Sequence, residues 1–344
     1  MKKIFLLLVL FFLTGACNKQ EKGIDLKNIK FNISSPYGNH FITGYDIPFT
    51  ATDRQGNDIT PAVTFYVNGQ AQSSDTLRFS APGTYQISAK WDLGGVEKDL
   101  ETPLQVEVIE PRSQTYVLVE DYTGTWCVNC PRVIYHLEEA MNQNNRIVPV
   151  AIHNRGHNSD PFHFDQVEVL TDEYNITAYP TPLLNRLEVW DEQVQSLNEY
   201  TAKNQPLGLS VESQINGNRI ELTVRVRFDM DMSSEDLKLT VYLLENHLHA
   251  DQANATPYYG GQDPIPDFEH NHVLRKSLTA VLGDDIPKSE CGFNEIYEKS
   301  FSFNIPPKVE NQANIVFAAF VTRGRHQATV INARQAPVNS TSGF

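Results

Sequence analysis

Tyr116-Val-Leu-Val-Glu-Asp-Tyr-Thr-Gly-Thr-Trp-Cys-Val-Asn-Cys-Pro131 is the stretch on which the reading of this chain turns. Tyr116 to Val119 is a short apolar run, as in a buried strand. A polar turn follows, then Cys127 and Cys130, then Pro131. Proline fits the first turn of a helix, where its missing N–H costs no hydrogen bond. Val133, Ile134, Leu137, Ala140 and Met141 then share one face of a helix predicted over 131–142. The two cysteines stand where a strand ends and a helix begins. Free N–H groups and the positive end of the helix dipole stabilise a thiolate there, lowering a thiol from ~8.5 into the range ~3.5–7.5. Cys127 is expected to be the exposed attacking thiol and Cys130 the resolving one.

Working outward, Ile147 to Ile152 carries no charge, as expected of a strand buried on both faces. Another apolar run surrounds Leu183 and Leu184, and Asp191 to Lys203 reads as a closing helix. This alternation predicts an α/β domain over 112–204. On both sides the period is two. Over 29–111, Val63, Phe65 and Val67, then Tyr85, Ile87, Ala89 and Trp91, then Leu104, Val106 and Val108 alternate with polar residues. Asn68-Gly69, Pro82-Gly83 and Gly94-Gly95 supply turns. That pattern predicts a β-sandwich, and Ala81-Pro-Gly-Thr-Tyr85 resembles extracellular immunoglobulin-like domains. Over 205–344 alternation returns, with Leu207 to Val211 and Ile220 to Phe228 joined through Asn216-Gly217, a strong hairpin signal. A polar insert over 246–295 interrupts this second β-sandwich and reads as a binding surface or a mobile flap.

Three further features agree with the cysteine pair. Trp126 precedes Cys127, Asp121 lies six residues before it, and Ile176-Thr-Ala-Tyr179-Pro180-Thr181 leads into an apolar strand. Together they resemble the thioredoxin-like superfamily over 112–204. The resemblance implies Cys127 as nucleophile, Cys130 as resolving thiol, Asp121 as a buried proton relay, a cis bond at Pro180, and Tyr179 offering its backbone to a substrate chain. The fold class expected is thus multidomain β plus α/β, a thioredoxin-like domain between two β-sandwiches. There are departures. Val128-Asn129 matches no redox class, Pro131 stands where many thioredoxins carry a basic residue, and Pro182 competes for the cis bond. Asp121 also fits a plain strand-end turn, and the C-x-x-C a structural disulfide.

A metal reading competes. Cys127, Cys130, His153 and His157 form C-x2-C and H-x3-H, but 22 residues separate the pairs, against ~12–15 in a small zinc module. No metal or other cofactor is expected. His153, His157 and His163 are expected to be solvated loop residues. His247-x-His249 and His270-x-His272 each put two imidazoles on one face of an extended segment, an arrangement open to a transition metal, although surface or structural roles are the simpler expectation. Cys291 is left over, and is read as buried.

Composition and leader set the address. The chain has 344 residues and a formal net charge of −14, with no Lys/Arg-rich run, which excludes phosphate-backbone binding and hence nucleic acid. Four cysteines exclude a disulfide scaffold. Lys2 and Lys3, an apolar run from Ile4 to Leu13, and Thr14-Gly15-Ala16 form a secretory signal over 1–16, too short to span a bilayer. Cys17 after these small residues resembles the bacterial lipoprotein signal. That resemblance implies cleavage before Cys17, a lipid on Cys17 as the membrane contact, and 17–28 as a tether. Leu13 stands four residues before Cys17 rather than three, and a plain signal peptide is the alternative.

The leader, Glu120 to Pro131 and His270-Asn-His-Val-Leu-Arg275 together are similar to outer-membrane proteins related to a 28-kilodalton antigen of Gram-negative bacteria. This implies location at the outer membrane and little about activity. Two functions follow as expectations: thiol–disulfide exchange on partner proteins bearing cysteines, or a non-enzymatic surface binding protein or adhesin with a structural disulfide.

Overall fold

A computed structural model describes residues 26–156 and 160–344. The leader with Cys17, most of the expected tether, and His157 lie outside the described residues.

The deciding stretch folds locally much as its pattern dictates. Val117–Thr123 is a strand buried along its whole length. It pairs in parallel with Ile147–His153 and antiparallel with Thr181–Leu184. Helix α1, Cys130–Gln143, carries Pro131 in its first turn and buries Val133, Leu137 and Ala140. Leu137 and Ala140 pack with Val117, Val119, Ile147 and Leu197. Helix α2, Val167–Glu173, is short, and α3, Val194–Thr201, is shorter than the predicted closing helix.

These strands do not close a domain of their own. Ile147–His153 pairs in parallel with Val273–Ser277 at Ala151 and Val273. That strand pairs with Leu237–Glu245, which pairs with Ile315–Arg323, and that with Thr329–Pro337. One nine-stranded sheet therefore runs through the central and C-terminal parts of the chain.

The N-terminal strands form a six-stranded sheet and two short ribbons. Their apolar residues, Phe41, Phe65, Ile87 and Val106 among them, share one core with Leu207, Val224, Leu239 and Phe317. The expectation of a thioredoxin-like α/β domain between two β-sandwiches, the first immunoglobulin-like, is thus overturned. The protein is mostly β-sheet, 44% strand and 13% helix, with three α-helices among the described residues. Periodicity shows which face of a strand is buried but not what covers it. A charge-free strand looks the same inside a small domain as inside a larger sheet.

A buried ion pair crosses the junction. Arg186 donates from Nε and Nη2 to Glu120, at 2.9 and 2.7 Å, and from Nη2 to the Tyr242 hydroxyl at 2.8 Å. Both charged side chains are fully buried. Glu120 belongs to the central strand and Tyr242 to Leu237–Glu245, so the pair ties the two halves of the sheet. The hairpin of Leu207–Asn216 and Arg219–Phe228 forms as predicted, with Asn216 opposite Arg219. Gly217 takes φ +63° in its tight turn, where glycine has no Cβ penalty.

Candidate functional site

Cys127 and Cys130 are joined in a disulfide. The Cys127 N–H donates to the Gly124 carbonyl, and the Cys130 N–H to that of Cys127, so the loop turns tightly into α1. Trp126 braces it. The indole N–H donates to the Asn154 carbonyl at 2.8 Å, and the ring packs edge-on against Tyr179 with centroids 5.5 Å apart. The Asn154 amide in turn donates to the Tyr179 hydroxyl at 2.6 Å. A Cβ on Gly156, which sits at φ +58°, would collide with that indole. The Tyr179–Pro180 peptide is cis, and Pro182 is not part of a cis bond.

The 246–295 insert returns over this loop. The Ala253 N–H donates to the Thr125 carbonyl at 2.8 Å, and the Ala255 N–H to the Val128 carbonyl at 2.7 Å. Gln252, buried, donates from Nε2 to the Cys127 carbonyl at 3.0 Å. Further along, Tyr258 stacks on Tyr135 of α1 and meets His136 Nε2 through its hydroxyl at 3.0 Å. The Tyr259 hydroxyl donates to Glu138. Cys127, expected to be exposed, is 4% exposed, and Cys130 is wholly buried. The sequence offered no sign of this cover. Two of its hydrogen bonds are backbone to backbone, and small Ala253 and Ala255 carry no motif.

Asp121 is 2% exposed. Burial pushes its carboxyl up to about 7, Glu192 adds to the push, and Arg132 opposes it. Its Oδ1 has no hydrogen-bond partner. The histidines scatter. His153, expected in solvent, is buried, with Nδ1 3.1 Å from Asp160 Oδ2. Asp160 also accepts from the Thr125 N–H, at 2.7 Å, and so holds the start of the cysteine loop. His247 and His249 are exposed and lie against Glu269 and Asp267. His270 and His272 line a cavity with Asp121. Among the described residues no group of three or more His, Cys, Asp or Glu is placed to hold a metal. Cys291 is free and buried in the main core, its thiol pushed up to about 11 by burial.

This architecture defines a class: a large β-sheet protein with a short α/β corner, in which one covered disulfide sits at a helix start. The family model described as outer membrane protein Omp28 matches residues 167–342, about half of the chain, and the chain belongs to that family. Its location is the outer membrane. The match leaves the cysteine corner outside.

Among solved structures, HBP35 of Porphyromonas gingivalis is similar, with a TM-score of 0.55 and 16% identity over 67% of this chain and 77% of that one. A domain of the outer membrane lipoprotein Omp28 from Porphyromonas gingivalis gives 0.28 and 16%, over 39% of this chain and 89% of that one. A DUF3823 family protein from Bacteroides ovatus gives 0.23 and 8%, over 90% of this chain and 99% of that one. The first likeness speaks for the fold alone. No curated protein matches the sequence.

Proposed function

We propose that this chain is a non-enzymatic binding protein of the outer membrane, anchored by lipid on Cys17, in which Cys127–Cys130 is a structural staple. One observation carries the reading: residues 252–255 hydrogen-bond along the cysteine loop and leave Cys127 almost without exposed surface. Exchange requires a partner sulfur to approach the disulfide, and the cover stands in the way. The test is insulin reduction and glutathione equilibrium of the full chain, with and without Cys127→Ser. A potential below about −300 mV, as structural disulfides have, and no Cys127-dependent insulin reduction are expected. Insulin turnover lost in Cys127→Ser would overturn the reading. For the anchor, Cys17→Ala should abolish incorporation of labelled fatty acid, and unchanged labelling would refute it.

Asp121 favours a second reading, thiol–disulfide exchange on cysteine-bearing partners. A buried carboxyl held near neutrality in the strand that leads to Cys127 is suited to moving a thiol proton. The reduced Cys127 thiolate would attack a partner disulfide and expel one partner thiolate. Cys130 would then attack Cys127, closing the protein disulfide and releasing the second thiolate, so the partner gains two electrons. Trp126, Tyr179 and Pro180 would flank that reaction. The insulin assay decides between the two readings.

A further inference from the structure

A cavity of about 160 Å³ lies between α1, the paired strands Val117–Thr123 and Ile147–His153, and the turn His270-Asn271-His272. Its volume is close to that of an engineered cavity of roughly 150 Å³ that binds benzene. Ile134, Leu137 and Met141 of α1 supply apolar wall. The polar wall is unusual. Asp121, Thr123, His270 and His272 all line the cavity, and each carries a buried side-chain atom without a hydrogen-bond partner: Oδ1, Oγ1, Nε2 and Nδ1 in turn. Asp121, Thr123 and His270 are at most 3% exposed. A buried polar atom left unpaired costs about 1–3 kcal/mol, and folded proteins keep few of them. Four around one cavity point to an occupant that pairs them.

The chemistry of the wall says what kind. Asp121 offers a carboxyl oxygen, ionised above about pH 7. His270 is neutral, since burial holds its ring down to about 3, and it makes a hydrogen bond to the Ala250 backbone. With that contact engaged, the free Nε2 is an acceptor. No Lys or Arg lines the cavity, and Glu138, an exposed residue of α1 that also accepts from Tyr259, adds a second carboxyl group to its lining. The walls are therefore rich in acceptors, and they turn negative as Asp121 ionises at about 7. An ammonium group, with three donors and one positive charge, matches them. A neutral hydrocarbon fills the volume but leaves the acceptors unpaired.

We propose that this cavity is a binding site for a small primary amine, its ammonium group held by Asp121 and His270 and its short apolar body against α1. The proposal goes beyond the reading of the disulfide, and its test reads binding rather than redox chemistry. Cyclopentylammonium and its neutral counterpart cyclopentanol, similar in size, would be titrated calorimetrically into the full chain. Saturable one-to-one binding of the amine is expected, at least about ten-fold tighter than the alcohol. Asp121→Asn should weaken the amine by a similar factor while leaving the alcohol unchanged. Ala151→Leu, which fills the cavity, should abolish both. No saturable amine binding up to roughly 10 mM, a range that still registers Kd values near 1 mM, would mean that the cavity holds water only and overturn the proposal. So would equal affinities for amine and alcohol, a result that does not depend on any variant folding.

Discussion

Asp121→Asn should stabilise the protein near about pH 8 and change it little near about pH 4. The carboxyl titrates near 3.8 in the unfolded chain and at about 7 in the fold, raised by burial first and by Glu192 second. A folded value raised above the unfolded one means that the fold prefers the protonated acid. The stability this contributes is fully present below 3.8 and is lost as pH rises through about 7. Above that, the fold holds a desolvated carboxylate. A shift of about 3 units at 1.36 kcal/mol each is about 4 kcal/mol. Asparagine keeps the shape and cannot ionise, so its advantage should grow by roughly that amount between the two pH values.

The neighbouring histidines run the other way. Burial holds His270 at about 3 and His272 at about 4, against 6.5 when unfolded. Their contribution is present above 6.5 and is lost as pH falls toward those values. Between about pH 4 and 6.5 the wild-type slopes therefore oppose, and Asp121→Asn should steepen the loss of stability toward acid. Urea unfolding of both proteins across this range, with the disulfide intact, is the assay. An equal difference between them at both ends of the range would refute the argument that Asp121 is buried and unpaired.

Arg186→Met should destabilise the chain by about 3–5 kcal/mol, because it leaves Glu120 charged and buried alone. Adding Glu120→Gln should recover most of that in urea titrations, and no recovery would mean that the pair does not act as a unit. Gly156→Ala should cost about 1–3 kcal/mol in the same measurement, since the new Cβ meets the Trp126 indole; a neutral effect would show that the brace gives way easily. Gln252→Ala removes a buried donor to the Cys127 carbonyl. It should speed reduction of the disulfide by dithiothreitol about ten-fold, the equivalent of one hydrogen bond lost from the closed cover. An unchanged rate would show that the cover does not guard the staple.

Local structure was legible where a residue type has one physical use. Pro131 marked the start of α1, Asn216-Gly217 marked a hairpin, and the charge-free run at Ile147 marked a strand buried on both faces. Helix α2 was missed because seven residues hold less than two turns, too few for a period of 3.6 to register. The continuous sheet was missed because the strand pairing that creates it, Ala151 opposite Val273, joins residues more than a hundred apart with nothing local to announce it. His270 and His272 were noticed as a pair facing one way. That they line one cavity with Asp121 was invisible, since the cavity arises only once Val273–Ser277 docks on Ile147–His153.

The insert also changes what the cysteine motif means. A C-x-x-C at a helix start gains the thiolate-stabilising field of that position. Reactivity further requires access, and access here is decided by residues 252–255, which belong to another part of the chain. The same excursion supplies His270 and His272 to the neighbouring cavity. One excursion thus covers the disulfide and also walls a polar cavity along the body of α1. The staple fixes the start of α1, the helix whose later turns supply Ile134, Leu137 and Met141 to the cavity.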